Sequence, residues 1–245
     1  MKVLISTKTG LFYYYNGSGE LHTKEGFFKE EDLKDKTGIV ITSNSENKKE
    51  FLIFDANNYD ITKKFLRGPQ IITPKDLGYI ISRTGINKFS KIVEAGGGSG
   101  FATTFFAGIV KEITTYEINE NNCSIIKKNL QKSGFDNCKL INKDINECIE
   151  EETEIDMLFL DMPDIDKLLE KNLKGVKSGS YVVCYVPSIC QIQDIHNTIK
   201  SNKDLYMEEI SEIIIRNWKV TDKISRPEHR KEIDHTAFLC FIRKI

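Results

Sequence analysis

No C-x-x-C pair occurs among the six cysteines of this chain, Cys123, Cys138, Cys148, Cys184, Cys190 and Cys240. The ligand spacing of a structural zinc site is therefore missing, no metal is expected, and the apolar or helical surroundings of most of these residues suggest reduced, semi-buried thiols. An excess of either charge is missing as well, with 35 Lys and Arg against 36 Asp and Glu. The whole molecule thus lacks the electrostatic footprint of a very basic nucleic-acid binder, and any RNA contact has to come from local patches. No apolar run approaches the length of a membrane span, and the opening stretch from Met1 to Lys8 has too short an apolar core for a signal peptide. A cytoplasmic protein without a membrane segment is expected. Internal repeats and low-complexity tracts are also absent, and 245 residues leave room for one large α/β domain and a small additional one.

What is present is concentrated in Val93-Glu94-Ala95-Gly96-Gly97-Gly98-Ser99-Gly100, which reads as a strand, a glycine loop and the start of a helix. Glycines at alternate positions 96, 98 and 100 let the backbone turn sharply and approach a ligand, and the helix that follows offers unpaired N–H groups. A dinucleotide fingerprint would place its third glycine at Phe101, so the spacing fits S-adenosylmethionine better than a nicotinamide dinucleotide. About 20 residues past the first glycine, Glu117 ends an apolar run, where an acidic group on the second strand can bind both ribose hydroxyls. An ordinary tight turn in an α/β domain is the plainer alternative.

The first sixty-odd residues differ from the rest. Short β-type runs at 3–6, 11–15, 39–42 and 51–54, separated by polar or glycine turns, predict a small β-rich N-terminal domain over residues 1–64. A linker with Lys63, Lys64, Arg67, Gly68 and Pro69 follows. Thr73-Pro74-Lys75-Asp76 then carries helix-start chemistry, with Thr73 as N-cap, Pro74 at the first helical position and Asp76 three residues after the cap. From residue 91 strand and helix patterns alternate: strands at 91–94, 113–117, 139–142, 157–161 and 181–186, helices at 101–109, 119–133, 165–173 and 191–200. The expected fold of residues 65–245 is α/β, a mostly parallel sheet covered on both faces. Two β-type segments, 208–220 and 236–242, joined through a basic loop, predict an antiparallel pair that closes it.

Four segments carry a resemblance: Arg67-Gly68-Pro69-Gln70-Ile71-Ile72-Thr73-Pro74-Lys75-Asp76, Glu94 to Gly100, Leu160-Asp161-Met162-Pro163 and His235-Thr236-Ala237-Phe238-Leu239. In this order they resemble the tRNA adenine-58 N1-methyltransferase family over nearly the whole chain. The glycine loop is common to most class I methyltransferases, whereas Gln-Ile-Ile-x-Pro-Lys-Asp and His-Thr-Ala-Phe-Leu are more specific. The resemblance implies a Rossmann-like class I methyltransferase domain that methylates N1 of an adenosine in the tRNA T-loop, at position 58 or its neighbour 57. It also implies S-adenosyl-L-methionine as cofactor and a homotetramer of the archaeal and bacterial type. Two positions depart from the family. Asp164-Ile165-Asp166 stands where many members continue with a proline and a tryptophan, and Thr73 stands where members often place a tyrosine or histidine that could stack on the base.

The chemistry can also be argued from the residues. Neutral adenine carries an in-plane lone pair on N1, so no base has to remove a proton before it attacks a sulfonium methyl. A carboxylate that accepts a hydrogen bond from the exocyclic N6 amino group would raise N1 nucleophilicity and stabilise the growing positive charge. Asp161, at the end of a strand and followed by Pro163, is the candidate catalytic residue and also a cofactor contact, because ligands of open parallel sheets bind beyond the carboxyl ends of the strands. A strand-ending aspartate that merely caps a turn is the alternative. Ser99, Gly100, Phe101 and Ala102, with Gly96 and Gly98, would line the methionine and ribose side of the cofactor. Asp144 would accept from the adenine N6 of the cofactor or, equally, cap the helical turn after it. Gln70 would close the pocket or be a solvated turn residue. For tRNA the candidates are Lys63, Lys64, Arg67, Arg226, His229, Arg230 and Lys231, which would neutralise phosphates, although charge runs are usually solvated faces. His235 is expected to be a structural or pocket-wall residue. A non-catalytic tRNA-binding subunit would be marked by degraded motifs, and Gly96, Gly98, Gly100, Glu117 and Asp161 are intact. A class I methyltransferase with a small-molecule or protein substrate is the other alternative.

Overall fold

A computed structural model describes residues 1–228 and 235–245. The chain divides into two compact units, Met1–Phe65 and Leu66–Ile245. In the first, β1 (Lys2–Ser6), β2 (Phe12–Tyr15), β3 (Leu21–Thr23), β4 (Gly26–Phe28), α1 (Glu30–Leu33), β5 (Ile39–Thr42), β6 (Glu50–Asp55) and α2 (Asn58–Thr62) follow one another. The four longer strands form an antiparallel sheet in the order β2-β1-β6-β5, and β3 and β4 pair as a hairpin. The register sets Leu4 opposite Ile53 and Ser6 opposite Phe51, so one sheet face meets Tyr15, Phe28, Leu33 and Ile41 in a small core. Strict side-chain alternation is what allows so short a sequence to bury one face.

The second unit runs α3 (Pro74–Thr84), β7 (Lys91–Ala95), α4 (Phe101–Ala107), β8 (Glu112–Tyr116), α5 (Glu120–Ser133), β9 (Cys138–Ile141), α6 (Ile145–Cys148) and β10 (Ile155–Leu160). It continues with α7 (Ile165–Leu169), β11 (Val176–Val186), α8 (Ile189–Ser201), β12 (Leu205–Glu212), β13 (Trp218–Thr221), β14 (Ile224–Pro227) and β15 (Phe238–Lys244). Seven strands form one sheet in the order β12-β15-β11-β10-β7-β8-β9. The five from β11 to β9 are parallel, and β15 and β12 add to the edge in antiparallel fashion. Burial follows the composition. Nearly every residue of β7 and β10 is buried, as expected for strands covered on both faces, whereas β12 at the edge alternates between half-buried and exposed. Each fully buried Leu, Ile or Phe contributes about 1.5–3 kcal/mol of transfer free energy, so the core of Leu158, Leu160, Val182, Ile195 and Ile242 anchors the strand ends that carry the site.

One expectation fails in detail. The segment 208–220 is not a single strand: β12 ends at Glu212, and the chain then leaves the sheet to form the separate β13–β14 hairpin. Its apolar residues do not pair with the core, since Ile214, Ile215, Trp218 and Val220 are all exposed. The six cysteines are free thiols, four of them buried, Cys138 half-buried and Cys190 exposed.

Candidate active site

The sheet order reverses at β7, whose neighbours are β10 on one side and β8 on the other. Connections leave in opposite directions there and open a crevice beyond the carboxyl ends of the strands. A cavity of about 540 Å³ fills that crevice. It is lined by the glycine loop, by Glu117 and Ile118 after β8, by Asp144 and Ile145 after β9, by Asp161 to Asp164 after β10, and by Pro69 to Ile72 ahead of α3. Such a volume suits a small organic ligand.

The loop geometry requires its glycines. Gly96 has φ +88°, and a Cβ there would come within 1.8 Å of the Asp161 carbonyl oxygen. Its own N–H donates to the Tyr116 carbonyl, so the loop is threaded between β8 and the end of β10. Gly100, at φ +75°, enters α4 in the left-handed conformation. Glu117 fixes the loop from the other side: its Oε2 accepts the Gly98 N–H at 2.8 Å and its Oε1 accepts the Asn119 N–H at 2.8 Å. The carboxylate is thus aimed at the loop and only 6% exposed.

Asn129, on α5 and fully buried, closes the arrangement. Its amide donates to the carbonyls of Ser99 and Leu66, and its oxygen accepts the Leu66 N–H. Segment 66–72, read from sequence as a linker, is by this means part of the cavity wall, and it carries exposed Gln70 to the rim.

Asp161 differs from every other carboxylate here. Its backbone N–H continues the sheet by donating to Ala95, while its side chain has no hydrogen-bond donor among the described residues. Burial, and then the neighbouring Glu117 charge, push its carboxyl up to about 7. Glu94, one position before the end of β7, is wholly buried and accepts from the hydroxyls of Thr103 at 2.5 Å and Thr115 at 2.7 Å. Desolvation pushes it up to about 7 against the lowering effect of those hydroxyls. Asp144 does cap α6, accepting the Asn146 N–H through Oδ1, and it also lines the cavity.

Of the sequence-predicted cofactor residues, Gln70, Gly96, Gly98, Ser99, Phe101, Ala102, Glu117, Asp144 and Asp161 line this one cavity, and Gly100 shapes it from behind. Sequence reasoning passed over Glu94, Ile118, Lys143 and Asn129. Glu94 stands inside the strand and glycine-loop motif without having been given a role there, and Ile118 directly follows Glu117. Ile118 is 69% exposed and presents an apolar wall. Asp164 adopts φ 56°, a strained conformation for a side-chain-bearing residue, where the chain turns from the cavity wall into α7.

The cationic candidates lie elsewhere. Lys63 and Lys64 belong to the first unit, where Lys63 Nζ lies 4.1 Å from the Tyr59 ring centroid and Lys64 Nζ 5.3 Å from that of Tyr14. Arg67 and Arg226 are exposed in the second unit. Arg226 pairs across the hairpin with Lys219, a like-charge pair that sequence reasoning missed because it depends on β13–β14 register. His229, Arg230 and Lys231 lie outside the described residues. His235 bridges the Glu212 carboxylate and the Pro187 carbonyl. Among the described residues no cluster of His, Cys, Asp and Glu could hold a metal, and no helix is long and apolar enough to cross a membrane.

The cavity fits a nucleoside-bearing cation. Five of its lining side chains are carboxylic acids, Glu94, Glu117, Asp144, Asp161 and Asp164, and Lys143 is the one lysine or arginine among them. The Asp161 carboxylate, without a donor among the described residues, supplies an acceptor, and the glycine loop supplies a surface on which a Cβ would intrude. The chain as a whole is similar to known proteins. The tRNA (adenine(57)-N(1)/adenine(58)-N(1))-methyltransferase TrmI of Methanocaldococcus jannaschii is 29% identical, over 86% of this chain and 84% of the relative. Among solved structures, the tRNA (m1A58) methyltransferase TrmI of Aquifex aeolicus superposes with TM-score 0.81 at 26% identity, covering 100% of this chain and 96% of that one. A SAM-dependent O-methyltransferase of Thermotoga maritima superposes with TM-score 0.84 at 25% identity, over 100% and 92% of the two chains. Residues 62–239, which contain the glycine loop, Glu117, Asp161 and the buried Asp76 of α3, match the family described as tRNA methyltransferase complex GCD14 subunit, and the chain belongs to that family.

Proposed function

We propose that this protein methylates N1 of an adenosine in the tRNA T-loop, at position 58 or at 57 and 58, with S-adenosylmethionine as methyl donor. The observation that carries the reading is the Asp161 carboxylate at the glycine-loop cavity, which has no hydrogen-bond donor among the described residues. The family match and relatives named for adenine-N1 methylation support it. When bound, the cofactor supplies an electrophilic methyl on a sulfonium centre. The remaining work falls to the chain's own groups. Glu117, held by the Gly98 and Asn119 N–H groups at the cavity wall, is assigned to the ribose hydroxyls, and Asp144, which lines the same cavity, to the adenine of the cofactor. Asp161 accepts from the exocyclic amino group of the target adenine, which raises electron density on N1 and stabilises the amidinium charge as it forms. No general base is required, which is consistent with a site that is built from acceptors and has no histidine among the described residues that line it.

Phosphate contacts are assigned to Lys63, Lys64, Arg67 and Arg226, with Lys219 added, and to His229, Arg230 and Lys231. The β13–β14 hairpin has two unlike faces: Trp218 and Val220 alternate with Lys219, which faces Arg226. The apolar face suits a neighbouring subunit of a homotetramer and the cationic face suits RNA. A cytoplasmic location follows from the proposed substrate.

The test is methyl transfer from labelled S-adenosylmethionine to an unmodified tRNA transcript, alongside one with the position-58 adenosine replaced, followed by nucleoside analysis. Formation of 1-methyladenosine in the parent alone supports position 58, product in both moves the site to a neighbour such as 57, and product in neither overturns the reading.

A further inference from the structure

Asp76 is fully buried, yet it does not do what its sequence position suggests. As the third residue after the Thr73 cap it would normally turn back to the helix N-terminus, and there is no cap hydrogen bond from the Thr73 side chain to the backbone. The Thr73 hydroxyl instead donates to Asp76 Oδ2 at 2.8 Å. Two further hydroxyls converge on the same oxygen from distant parts of the chain, Tyr185 at 3.2 Å and Thr236 at 3.1 Å, while Lys75 Nζ reaches Oδ1 at 2.7 Å and Thr236 Oγ1 at 2.8 Å. Four donors saturate one carboxylate. A buried ion pair of this kind is weak evidence of stabilisation, because desolvating both charges costs about as much as their attraction returns. The cluster therefore needs a reason other than fold stability.

Its position supplies one. Leu160 pairs with Cys184, so the next residues along the two parallel strands are Asp161 and Tyr185, which share a parity and hence a sheet face. Burial, then the charge of Asp76 and, least, that of Asp161 raise the Tyr185 hydroxyl above the usual tyrosine value. Its proton is committed to Asp76, while the Asp161 carboxylate beside it has no donor among the described residues. Ile71 and Ile72, just before the cluster, line the cavity.

We propose that Asp76 is a positioning residue for methyl transfer: by binding the hydroxyls of Tyr185 and Thr236 it fixes the Tyr185 ring alongside Asp161 and leaves the Asp161 carboxylate open to the substrate amino group. This rests on the adenine-N1 reading above. Asp76→Asn keeps the shape but removes the charge and one acceptor, and Tyr185→Phe removes the donor.

The experiment measures S-adenosylmethionine affinity by calorimetry, and kcat and KM for tRNA per cofactor-binding site, in the wild type, both single variants and the double variant. Affinity for the cofactor and KM for tRNA should stay within about twofold, while kcat falls about tenfold in Asp76→Asn and several-fold in Tyr185→Phe. The double variant should be no worse than Asp76→Asn, because both changes break one interaction. Unchanged kcat, independent losses that multiply, or a loss that follows cofactor affinity would each overturn the positioning role. Should Asp76→Asn fail to fold, Tyr185→Phe, which leaves Asp76 its three other donors, decides alone: unchanged kcat there also overturns it. A wild-type protein that binds the cofactor but leaves tRNA unmethylated overturns instead the reading on which the proposal rests.

Discussion

Acidifying the buffer should weaken binding of S-adenosylmethionine, and Asp161 should account for most of the effect. In the ligand-free protein the Asp161 carboxyl stands at about 7, raised by burial and by Glu117. A cationic ligand entering a cavity lined by Glu94, Glu117, Asp144, Asp161 and Asp164 favours the ionised form, so binding below that value must expel a proton to solvent. With a value of about 7, the group is about 3% ionised at pH 5.5 and about half ionised at pH 7.0. If the complex requires the carboxylate, the association constant therefore rises about fifteenfold across that interval. The range also lies below the titration of the ligand's own α-amino group. Calorimetry in two buffers of different ionisation enthalpy at pH 6 should report close to one proton released per cofactor bound, about 0.9 by the same arithmetic. The demethylated product, which has lost the sulfonium charge, should show a shallower gradient. Asp161→Asn should flatten the wild-type curve to within about threefold. A wild-type affinity that does not change between pH 5.5 and 7.0 would refute the reasoning. An unaltered gradient in Asp161→Asn would transfer the linkage to Glu94, whose buried carboxyl also lies at about 7.

Gly96→Ala should abolish measurable cofactor binding and lower Tm, since it combines a φ of +88° with a Cβ 1.8 Å from the Asp161 carbonyl oxygen; an affinity loss under about tenfold by calorimetry would contradict the geometry. Asp161→Asn should stabilise the ligand-free protein while it removes activity. A carboxyl raised from 3.8 to about 7 makes the native state bind more protons than the unfolded chain between those values, so wild-type stability falls as pH rises through that window and is flat above it. The variant should therefore melt higher at pH 8, by up to about 4 kcal/mol or roughly 8–16 °C, and the difference should vanish near pH 4 in differential scanning calorimetry. Arg226→Ala should raise KM for tRNA and reduce the slope of log affinity against log salt by roughly 0.7–0.9 if that side chain contacts one phosphate; an unchanged slope removes it from the RNA face.

The parts of this molecule that could be read from sequence are those whose cause is local. Strand β7, the glycine loop and α4 were legible because backbone conformation at 96 and 100 tolerates only glycine, and Glu117 was legible because the spacing from strand end to strand end is short in an α/β unit. The α/β alternation reported the parallel sheet for the same reason. Where distant residues compete with a local rule, the local rule misleads. Thr73-Pro74-Lys75-Asp76 has complete helix-start chemistry, but the Asp76 carboxylate goes to Tyr185 and Thr236, 109 and 160 residues away. The β-type run after residue 208 has strand propensity throughout, but only as far as Glu212 does β15 offer a partner. Segment 66–72 shows how this affects function. Its basic, glycine- and proline-containing composition describes a solvated linker, and no periodicity in it contradicts that. A single buried amide, Asn129, overrides the composition by joining Leu66 to the carbonyl of Ser99. That bond turns a connecting stretch into a wall of the cavity, and Gln70 reaches the rim only because an asparagine 63 positions from Leu66 holds the backbone there.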